Sequence, residues 1–324
     1  MEWRGLELCC PLCKGELREM GDREPELHCR ACDRVYPVIL GIPDFRIFAD
    51  PYIELEADRA KGRRLAERFD DLDFEGLVRF YYSISPANTP RQAASFTRGH
   101  LAAVPRAAAS LDAWEPAARE GAPLAASLLE LGCGTAPLVV AASPRYREVV
   151  GVDIAFRWLV VGKKRLLEAG VDAPIIAACA EALPLPDARF DRVVSDSTFE
   201  NVRDARRAMA EARRVSRPGA RLFVAMQNRF SLGPDPQTGL WGVGYLPRRV
   251  VGAHMRRQHG LPPQRELMSG AALRRRLREA RFTSPHLALP SFPAGQRAHF
   301  TPAMRRVVDV YHAAARLPVS RQLL

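Results

Sequence analysis

The sequence predicts an α/β protein in which a parallel sheet follows a small cysteine-rich module. Two observations lead to this prediction. Five of the seven cysteines fall within the first 32 residues. Farther along the chain, short apolar stretches typical of buried strands alternate with amphipathic stretches typical of helices. This alternation indicates a parallel sheet covered by helices.

The bulk composition is that of a globular protein. The chain has 324 residues, of which 47% are hydrophobic, enough for one large domain or two ordinary ones. No apolar run approaches the length of about 18 to 20 residues that a membrane span needs. The first ten residues show no secretion signal. We therefore expect a cytoplasmic protein without a transmembrane segment.

Positive charge is concentrated towards the C-terminus. The formal net charge is +11, and residues 241–324 contain 15 arginines against three acidic residues. Residues 1–240 are close to neutral, with 33 basic and 34 acidic residues. A concentrated basic surface favours anionic partners such as nucleic acid, a phosphorylated acceptor or a membrane face. An ordinary solvated basic surface is the alternative interpretation.

The N-terminal cysteines have the spacing of a zinc site. Two C-x2-C pairs are separated by 15 residues, which suits two tight turns that bring four thiolates to one ion. Four protein ligands leave the metal no open position, so we expect a structural role. Cys9 and His28 are neighbours that could replace one ligand. The predicted ligands are Cys10, Cys13, Cys29 and Cys32.

The segment from Cys10 to Phe45 resembles the small zinc-ribbon proteins that activate translation-related methyltransferases. The shared features are the two C-x2-C pairs, the Tyr36-Pro37 dipeptide and the Gly41-Ile42-Pro43 tripeptide. In that family the ribbon is a separate partner of its enzyme. Here the resemblance implies that residues 1–50 form a zinc-ribbon domain fused to the N-terminal side of an enzyme.

A glycine-rich turn follows the first long apolar stretch of the central region, in "LLELGCGTA". Gly132 and Gly134 bracket a bend that residues without a β-carbon form easily, and they let a ligand approach the backbone. Asp153 ends the next apolar stretch, where an acid can accept hydrogen bonds from ribose hydroxyls. Position 137 is a proline, so the dinucleotide fingerprint G-x-G-x-x-G is incomplete.

Four motifs in the expected order resemble class I methyltransferases that use S-adenosylmethionine (SAM). They are "LLELGCGTA", "GVDIA", "CAEALPLPDARFDRVVSDSTFENV" and "RRVSRPGARLFVA". The middle of the chain is similar to methyltransferases of ubiquinone and menaquinone biosynthesis. The resemblance implies a Rossmann-like seven-stranded sheet. The apolar pattern places strands near residues 127–131, 148–153, 174–178, 191–195 and 221–226.

The resemblance also implies a set of cofactor-binding residues. Glu130 and the two glycines would border the methionine end of SAM, Asp153 the ribose and Ile154 the adenine face. The family usually has aspartate where this chain has Cys179, which affects one expected adenine contact. The complete predicted set is Glu130, Gly132, Cys133, Gly134, Asp153, Ile154, Cys179, Ala180, Glu181 and Ser195.

Catalytic residues are less evident in the sequence. Methyl transfer requires alignment of acceptor and methyl group, and a general base where the acceptor starts protonated. Each carboxylate near the fourth strand could equally be a helix cap, and the tyrosine pair could be ordinary packing. The candidates are Asp196, Glu200, Asn228, Tyr81 and Tyr82.

The flanking regions are expected to build the acceptor site. Residues 51–121 form a helical linker and cap with a break at 79–90. Residues 122–324 form the methyltransferase domain, with a lid-like insertion near 228–266 and a basic C-terminal part. In the insertion, Trp241 and Tyr245 could contact an acceptor. The pattern predicts a further amphipathic helix over residues 267–282.

The acceptor remains open among three interpretations. The segment "SDSTFENV" lacks the Asn/Asp-Pro-Pro-aromatic motif of many amine methylases, which favours a small-molecule acceptor, anionic or lipid-linked. The alternatives are a zinc-ribbon rRNA or tRNA methyltransferase and a non-catalytic SAM-binding or partner-activating module. RNA would bind through the arginine-rich region, and peripheral membrane contact is a further expectation.

Overall fold

The computed structural model describes residues 1–21, 25–85, 89–115, 124–231, 240–259, 266–288 and 302–315. The chain forms two compact units, Met1–Ala225 and Met226–Leu324. The finer division into domains at residues 50 and 121 stays a prediction.

The N-terminal module is built from short antiparallel strands. A hairpin of β1 (Glu2–Trp3) and β2 (Leu6–Glu7) precedes a four-stranded sheet in which consecutive strands pair. That sheet contains β3 (Leu17–Met20), β4 (Glu26–Cys29), β5 (Val35–Ile39) and β6 (Ile42–Pro43). The residues between β3 and β4 at positions 22–24 lie outside the described part of the chain.

The central sheet is parallel, as the sequence predicts. In spatial order its strands are β11 (Ser216–Ala225), β10 (Phe190–Asp196), β7 (Leu124–Leu131), β8 (Tyr146–Asp153) and β9 (Ile175–Ala177). The chain therefore starts in the middle of the sheet and builds outwards in both directions. Buried Leu, Val and Ile fill the strands from β7 to β10, because helices cover both faces of such a sheet.

The strand count differs from the expected seven. Among the described residues the central sheet has five strands, and the chain after Ala225 forms helices and loops. Arginine-rich stretches such as "GAALRRRLRE" have a helical period, which explains why they do not add strands.

Helices of the first unit pack around this sheet. Local sequence explains where two of them begin. Asp73 accepts a hydrogen bond from Gly76 N at the start of one helix. Thr89 and Gln92 form a capping box around Pro90 at the start of the next. They are α1 (Leu55–Ala66), α2 (Phe74–Ser83), α3 (Pro90–Leu101), α4 (Ala103–Trp114), α5 (Pro137–Ala142), α6 (Phe156–Glu168) and α7 (Ala205–Val215).

Two helices that precede the sheet in the sequence pack against the two helices that connect its first three strands. Helix α1 packs against α6, and α4 packs against α5. Helix α2 ends at Ser83 and α3 begins at Pro90. The helical structure is therefore interrupted within the segment 79–90, where the sequence indicates a break. Residues 86–88 and 116–123 lie outside the described part.

The second unit is helical in its described residues. It contains a 3-10 turn at Val243–Tyr245 and three helices. These are α8 (Arg248–His259), α9 (Gly270–Glu279) and α10 (Pro302–Ala315). Helix α9, capped by Ser269, falls within the predicted helix at 267–282. The predicted lid partly falls on residues 232–239 and 260–265, outside the described residues. None of the described helices combines the length and apolar content that a membrane crossing needs.

Candidate functional site

Four cysteine sulfurs of the N-terminal module meet at one point. All four Sγ atoms lie within 4.8 Å of one another. The Cys13–Cys29 pair is separated by 3.4 Å and the Cys10–Cys32 pair by 3.7 Å. Because a tetrahedral zinc ion binds sulfur at about 2.3 Å, its ligands lie roughly 3.8 Å apart. The structure therefore brings together the four predicted ligands in an arrangement that fits one zinc ion.

The two alternative ligands have other contacts. His28 Nε2 lies 3.4 Å from Glu26 Oε2 on the same strand, and neither His28 nor Cys9 belongs to the sulfur group in the described structure. The backbone N–H of Cys9 donates to Pro184 O at 3.0 Å, which links the module to the central domain.

The first C-x2-C turn is shaped by hydrogen bonds to its own backbone. Lys14 N donates to Cys10 O at 2.9 Å, and Gly15 N points at Cys13 Sγ at 3.4 Å. A β-carbon at Gly15 would lie 2.9 Å from the β-carbon of Ala31, in the second turn. A glycine is therefore needed where the two turns close around the sulfurs.

The end of the module adjoins the edge of the central sheet. Asp44 forms a parallel bridge with Ala177 of β9, and Phe45 N donates to Ala177 O at 2.7 Å. Phe45 is fully buried. The module thus covers an edge strand whose backbone groups would otherwise be exposed to solvent or to other chains.

A buried network of charges follows this junction. Arg46 Nη2 lies 2.7 Å from Asp44 Oδ2, and Arg46 Nη1 lies 2.5 Å from Asp58 Oδ2. Arg157 donates to the other oxygen of Asp58. Burial raises the pKa of Asp44, but Arg46 and then Arg59 more than offset this and hold the pKa below its ordinary value. The network joins the segment after β6 to α1 and α6.

The same network reaches the turn after β8. Arg46 Nη1 donates to Ile154 O at 3.1 Å, and Asp58 Oδ2 accepts a hydrogen bond from Phe156 N at 2.9 Å. Asp58 therefore caps the first turn of α6, directly after Asp153. The sequence analysis did not identify Arg46 or Asp58, because Ile154 and Phe156, their partners at this turn, lie about 100 positions away in the sequence.

The glycine turn after β7 is held closely by its surroundings. Gly132 has φ of +80°, and a β-carbon there would lie 2.0 Å from Thr198 Oγ1. Thr198 Oγ1 donates to Leu131 O at 2.9 Å. Gly134 has φ of +51° with open space where a β-carbon would stand. The first glycine is required for packing, and the second borders space that a ligand can occupy.

Asp153 ends β8 and faces the glycine turn. Its Oδ2 accepts a hydrogen bond from Gly134 N at 2.7 Å, and its Oδ1 accepts one from Ala155 N at 2.7 Å. Burial raises the pKa of Asp153 to about 6, and these amide hydrogen bonds oppose the rise. Each oxygen retains a further lone pair for a ligand hydroxyl.

Two buried polar atoms beside this turn lack partners within the described structure. They are Glu130 Oε2 and Ser195 Oγ, at the ends of β7 and β10. Burial, and then the charges of Asp196 and Asp153, raise the pKa of Glu130 well above its ordinary value. A cationic ligand would offset that cost, and the ammonium group of SAM has the required charge and hydrogen-bond donors. The residues present therefore fit this cofactor.

The residues predicted near adenine are mostly occupied by structural contacts. Cys179 is fully buried with Sγ 3.8 Å from Phe48 O, and burial raises its pKa to about 11. Glu181 accepts hydrogen bonds from Arg203 N and Asp204 N before α7. Ala180 and Ile154 lie on the connections that follow β9 and β8. Their adenine contacts stay predictions.

Cys133, also in the predicted cofactor set, turns its side chain into the protein interior. It is 2% exposed, and its sulfur would lie 2.9 Å from a β-carbon at Gly151 in β8. Burial raises the pKa of this thiol well above its ordinary value. The backbone of Cys133 is engaged as well, since its N–H donates to Val152 O at 3.0 Å and its carbonyl accepts from Ala136 N at 2.7 Å.

The catalytic candidates fall in different environments. Asp196 is exposed at the end of β10; desolvation raises its pKa, and a hydrogen bond from Ser197 opposes the rise. Glu200 and Tyr81 are buried, and Tyr82 is half-buried on α2. The fifth candidate, Asn228, belongs to the second unit. Its side-chain oxygen accepts a hydrogen bond from Phe230 N.

Comparison with known proteins gives two family matches. Residues 129–224 match the family described as "Methyltransferase domain", and residues 8–41 match "Trm112p-like protein". The chain carries a methyltransferase domain behind a Trm112p-like domain. The two matches coincide with the glycine turn and its sheet, and with the four-cysteine cluster.

Curated relatives are similar to the methyltransferase domain. The demethylmenaquinone methyltransferase of Thermus thermophilus is 35% identical over 120 residues, 36% of this chain and 52% of that protein. The ubiquinone/menaquinone biosynthesis C-methyltransferase UbiE of Bordetella avium is 35% identical over 123 residues, 37% of this chain and 48% of that protein. The chain thus spans about half the length of the relatives it matches.

Solved structures show weaker similarity. The YcgJ protein of Bacillus subtilis is 19% identical with a TM-score of 0.42, over 68% of this chain and 86% of that one. A complex between the Haloferax volcanii Trm112 methyltransferase activator and a methyltransferase is 17% identical with a TM-score of 0.36, over 56% of this chain and 74% of that one.

The sequence analysis also did not identify His100, a residue on α3 that lies next to the glycine turn. His100 Nδ1, at the end of α3, lies 3.5 Å from Thr135 Oγ1. Arg165 Nη2 donates to Thr135 Oγ1 at 3.1 Å and to His100 O at 2.9 Å. A lone histidine in a helical stretch gives no signal of such a contact.

Proposed function

We propose that this protein transfers a methyl group from SAM to a small-molecule acceptor with a quinol-type ring. The observation that carries the proposal is the geometry around the glycine turn. There, a buried carboxylate oxygen of Glu130 lacks a described partner, and Gly134 borders open space. A complete set of motifs on the expected strands argues against a non-catalytic module.

The residues of the turn have distinct roles in this proposal. Glu130 would hold the ammonium group of SAM, and the open space at Gly134 would admit the methionine chain. Asp153 uses its remaining lone pairs for the ribose hydroxyls while it holds the turn through Gly134 N. When bound, SAM supplies a methyl group activated by its sulfonium charge.

Catalysis then depends mainly on how the acceptor is held. Alignment of the acceptor with the methyl group supplies most of the rate enhancement, and a proton acceptor is needed where the acceptor starts protonated. Asp196 is the best-placed candidate, because it is exposed at the carboxyl end of β10 and desolvation raises its pKa above the ordinary value. This assignment is part of the proposal.

The acceptor class is inferred from two observations. The relatives above are named for methylation in quinone biosynthesis, and the segment after β10 lacks the motif of amine methylases. The 15 arginines of residues 241–324 suit an anionic or lipid-linked acceptor. The same arginines favour RNA as the second candidate acceptor.

Two experiments test the proposal. First, calorimetry should show binding of SAM and of S-adenosylhomocysteine, with a large loss in Asp153→Ala. A matched control is Asp187→Asn, an exposed carboxylate paired with Arg214. Second, incubation with methyl-labelled SAM and a reduced 2-prenyl-1,4-naphthoquinol should place label in the organic phase.

The outcomes separate the candidates. Label in RNA from a fractionated extract, with a steep salt dependence, would replace the quinol by RNA. SAM binding without label in any fraction would leave a non-catalytic SAM-binding module. Absence of SAM binding by intact, folded protein would remove the methyltransferase proposal altogether.

A further inference from the structure

Aromatic side chains from three helices converge beside the glycine turn. We call this group the ring cluster; its members are Tyr81 and Tyr82 of α2, Phe96 and His100 of α3, and Trp158 of α6. The ring centroids of Tyr81 and Trp158 are 4.1 Å apart, and those of His100 and Trp158 are 4.8 Å apart. Phe96 stacks on Tyr82 at 5.9 Å.

The ring cluster is connected to the cofactor site at two points. His100 Nδ1 lies 3.5 Å from Thr135 Oγ1, one residue after Gly134. Trp158 lies in the first turn of α6, which begins three residues after Asp153. The cluster is therefore attached, through α3 and α6, to both segments that are proposed to bind SAM.

Tyr81 belongs to the hydrophobic core, and Tyr82 and Trp158 pack against it, but the outer rings of the cluster are only partly covered. Phe96 is 44% exposed, and Tyr82, His100 and Trp158 are half-buried. Fully packed rings would contribute to stability alone, whereas partly exposed ring faces can stack against a planar ligand. Tyr81 is buried beneath the others and supports them.

A polar edge accompanies the ring faces. Tyr82 Oη lies 3.3 Å from His100 Nε2, so the pair shares a hydrogen bond. Burial, and then the charges of Arg165 and Arg106, lower the pKa of His100 to about 4. Burial raises the pKa of Tyr82. Both groups are therefore uncharged at neutral pH and can exchange hydrogen bonds with a neutral hydroxyl.

We infer that the ring cluster is the acceptor-binding site, and that it holds a hydroxylated aromatic ring of the quinol class. The ring stacks on Phe96 and Trp158, and its hydroxyl hydrogen bonds to Tyr82 Oη, which His100 Nε2 orients. Tyr82 and His100 are positioning residues that set the ring against the methyl group. This inference rests on the proposed function, whose acceptor it places on α2, α3 and α6.

Single-tryptophan variants test the location without turnover. The chain has four tryptophans, so one variant keeps Trp158 and another keeps Trp114, with the remaining three changed to phenylalanine in each. The probe is 2,3-dimethyl-1,4-naphthoquinone, which quenches nearby tryptophan and lacks free positions for thiol addition. Trp114 is a suitable control because it stacks on Phe223, 6.1 Å away, outside the cluster.

With S-adenosylhomocysteine present, we expect saturable quenching in the variant that keeps Trp158 and several-fold weaker quenching in the one that keeps Trp114. Equal quenching in both, or none in either, would overturn the inference. Quenching at Trp158 without turnover of the naphthoquinol would instead support the binding site and remove the proposed reaction. The two failures are thus distinguishable.

Substitutions test the polar edge. Tyr82→Phe and His100→Asn should each raise KM for the naphthoquinol by about tenfold, the loss of one hydrogen bond to a buried partner. The Kd for SAM should stay within about twofold. Tyr146→Phe, which removes a hydroxyl from the buried start of β8, should change neither constant. Equal losses of SAM affinity and KM would indicate a structural role and contradict the inference.

Discussion

The cysteine cluster and the glycine turn differ in how completely the protein fills them. At the cysteine cluster four sulfurs face one another, and neither neighbouring alternative is needed. At the glycine turn, a buried oxygen of Glu130 and the hydroxyl of Ser195 lack described partners, and Gly134 borders open space. The four sulfurs are arranged around one point that fits an ion, whereas the glycine turn leaves polar atoms that a ligand could satisfy.

This difference explains why the two sites carry different kinds of function. A metal held by four protein ligands has no position for a substrate, so it contributes to folding. A site with unpaired polar atoms has a cost in the free protein that a matching ligand removes. The predictions that follow test this contrast, beginning with the largest expected effect.

Loss of a zinc ligand should have the largest effect. Cys29→Ser removes one of the four sulfurs, and structural zinc contributes on the order of 10 kcal/mol to the folding of small zinc domains. We expect loss of stoichiometric zinc, measured by elemental analysis, together with a lower melting temperature. Cys9→Ser is the matched control, since Cys9 lies beside the cluster but outside it. Full zinc content in Cys29→Ser would contradict the assignment.

Removal of the buried charge at Asp58 should have the next largest effect. Asp58→Asn leaves Arg46 and Arg157 short of a counter-charge, which costs about 3–5 kcal/mol of unfolding free energy when a buried ion pair is broken. Glu56→Gln, at an exposed pair with Arg59 on the same helix, should cost less than about 1 kcal/mol. Denaturant titration measures the unfolding free energy of both variants. Equal losses would show that the buried network stabilises the fold no more than an exposed ion pair does.

The two glycines of the turn should separate stability from ligand binding. In Gly132→Ala the new β-carbon meets Thr198, so we expect a loss of about 3 kcal/mol from overpacking and positive φ. In Gly134→Ala only the backbone strain applies, about 1 kcal/mol, but the methyl group occupies the proposed ligand space. SAM affinity should fall more than stability in Gly134→Ala. Unchanged affinity there would place the ligand elsewhere.

Protonation of Asp153, unlike its removal, should give the smallest effect near pH 7, visible as a pH dependence of SAM affinity. Its pKa of about 6 means that SAM affinity falls roughly tenfold for each pH unit below 6, as the carboxylate that accepts the ribose hydroxyls becomes protonated. The raised pKa has the opposite sign for the free protein, since protonation between about pH 6 and 4 stabilises it relative to Asp153→Asn. Calorimetry and thermal unfolding at several pH values check both. Affinity that is flat from pH 7 to 5 would exclude this role.

Much of the fold could be predicted from sequence because its signals are local. The apolar stretches gave strands near their observed positions, and the two C-x2-C pairs indicated one metal site. The bridge from Asp44 to Ala177 could not be predicted, because its partners lie 133 positions apart in segments without a distinctive pattern. His100 and Asp58 were missed for the same reason. The roles of the SAM residues stay predictions, since no ligand contact is described.

The segment at Asp44 and Phe45 covers the edge strand at Ala177, and it is part of the same chain as that strand. In the family that the ribbon resembles, the ribbon is a separate partner of its enzyme. Here the covering segment belongs to the same polypeptide, so its local concentration is fixed by the linker and does not depend on expression level. Each copy of the chain is therefore made with its own segment to cover Ala177.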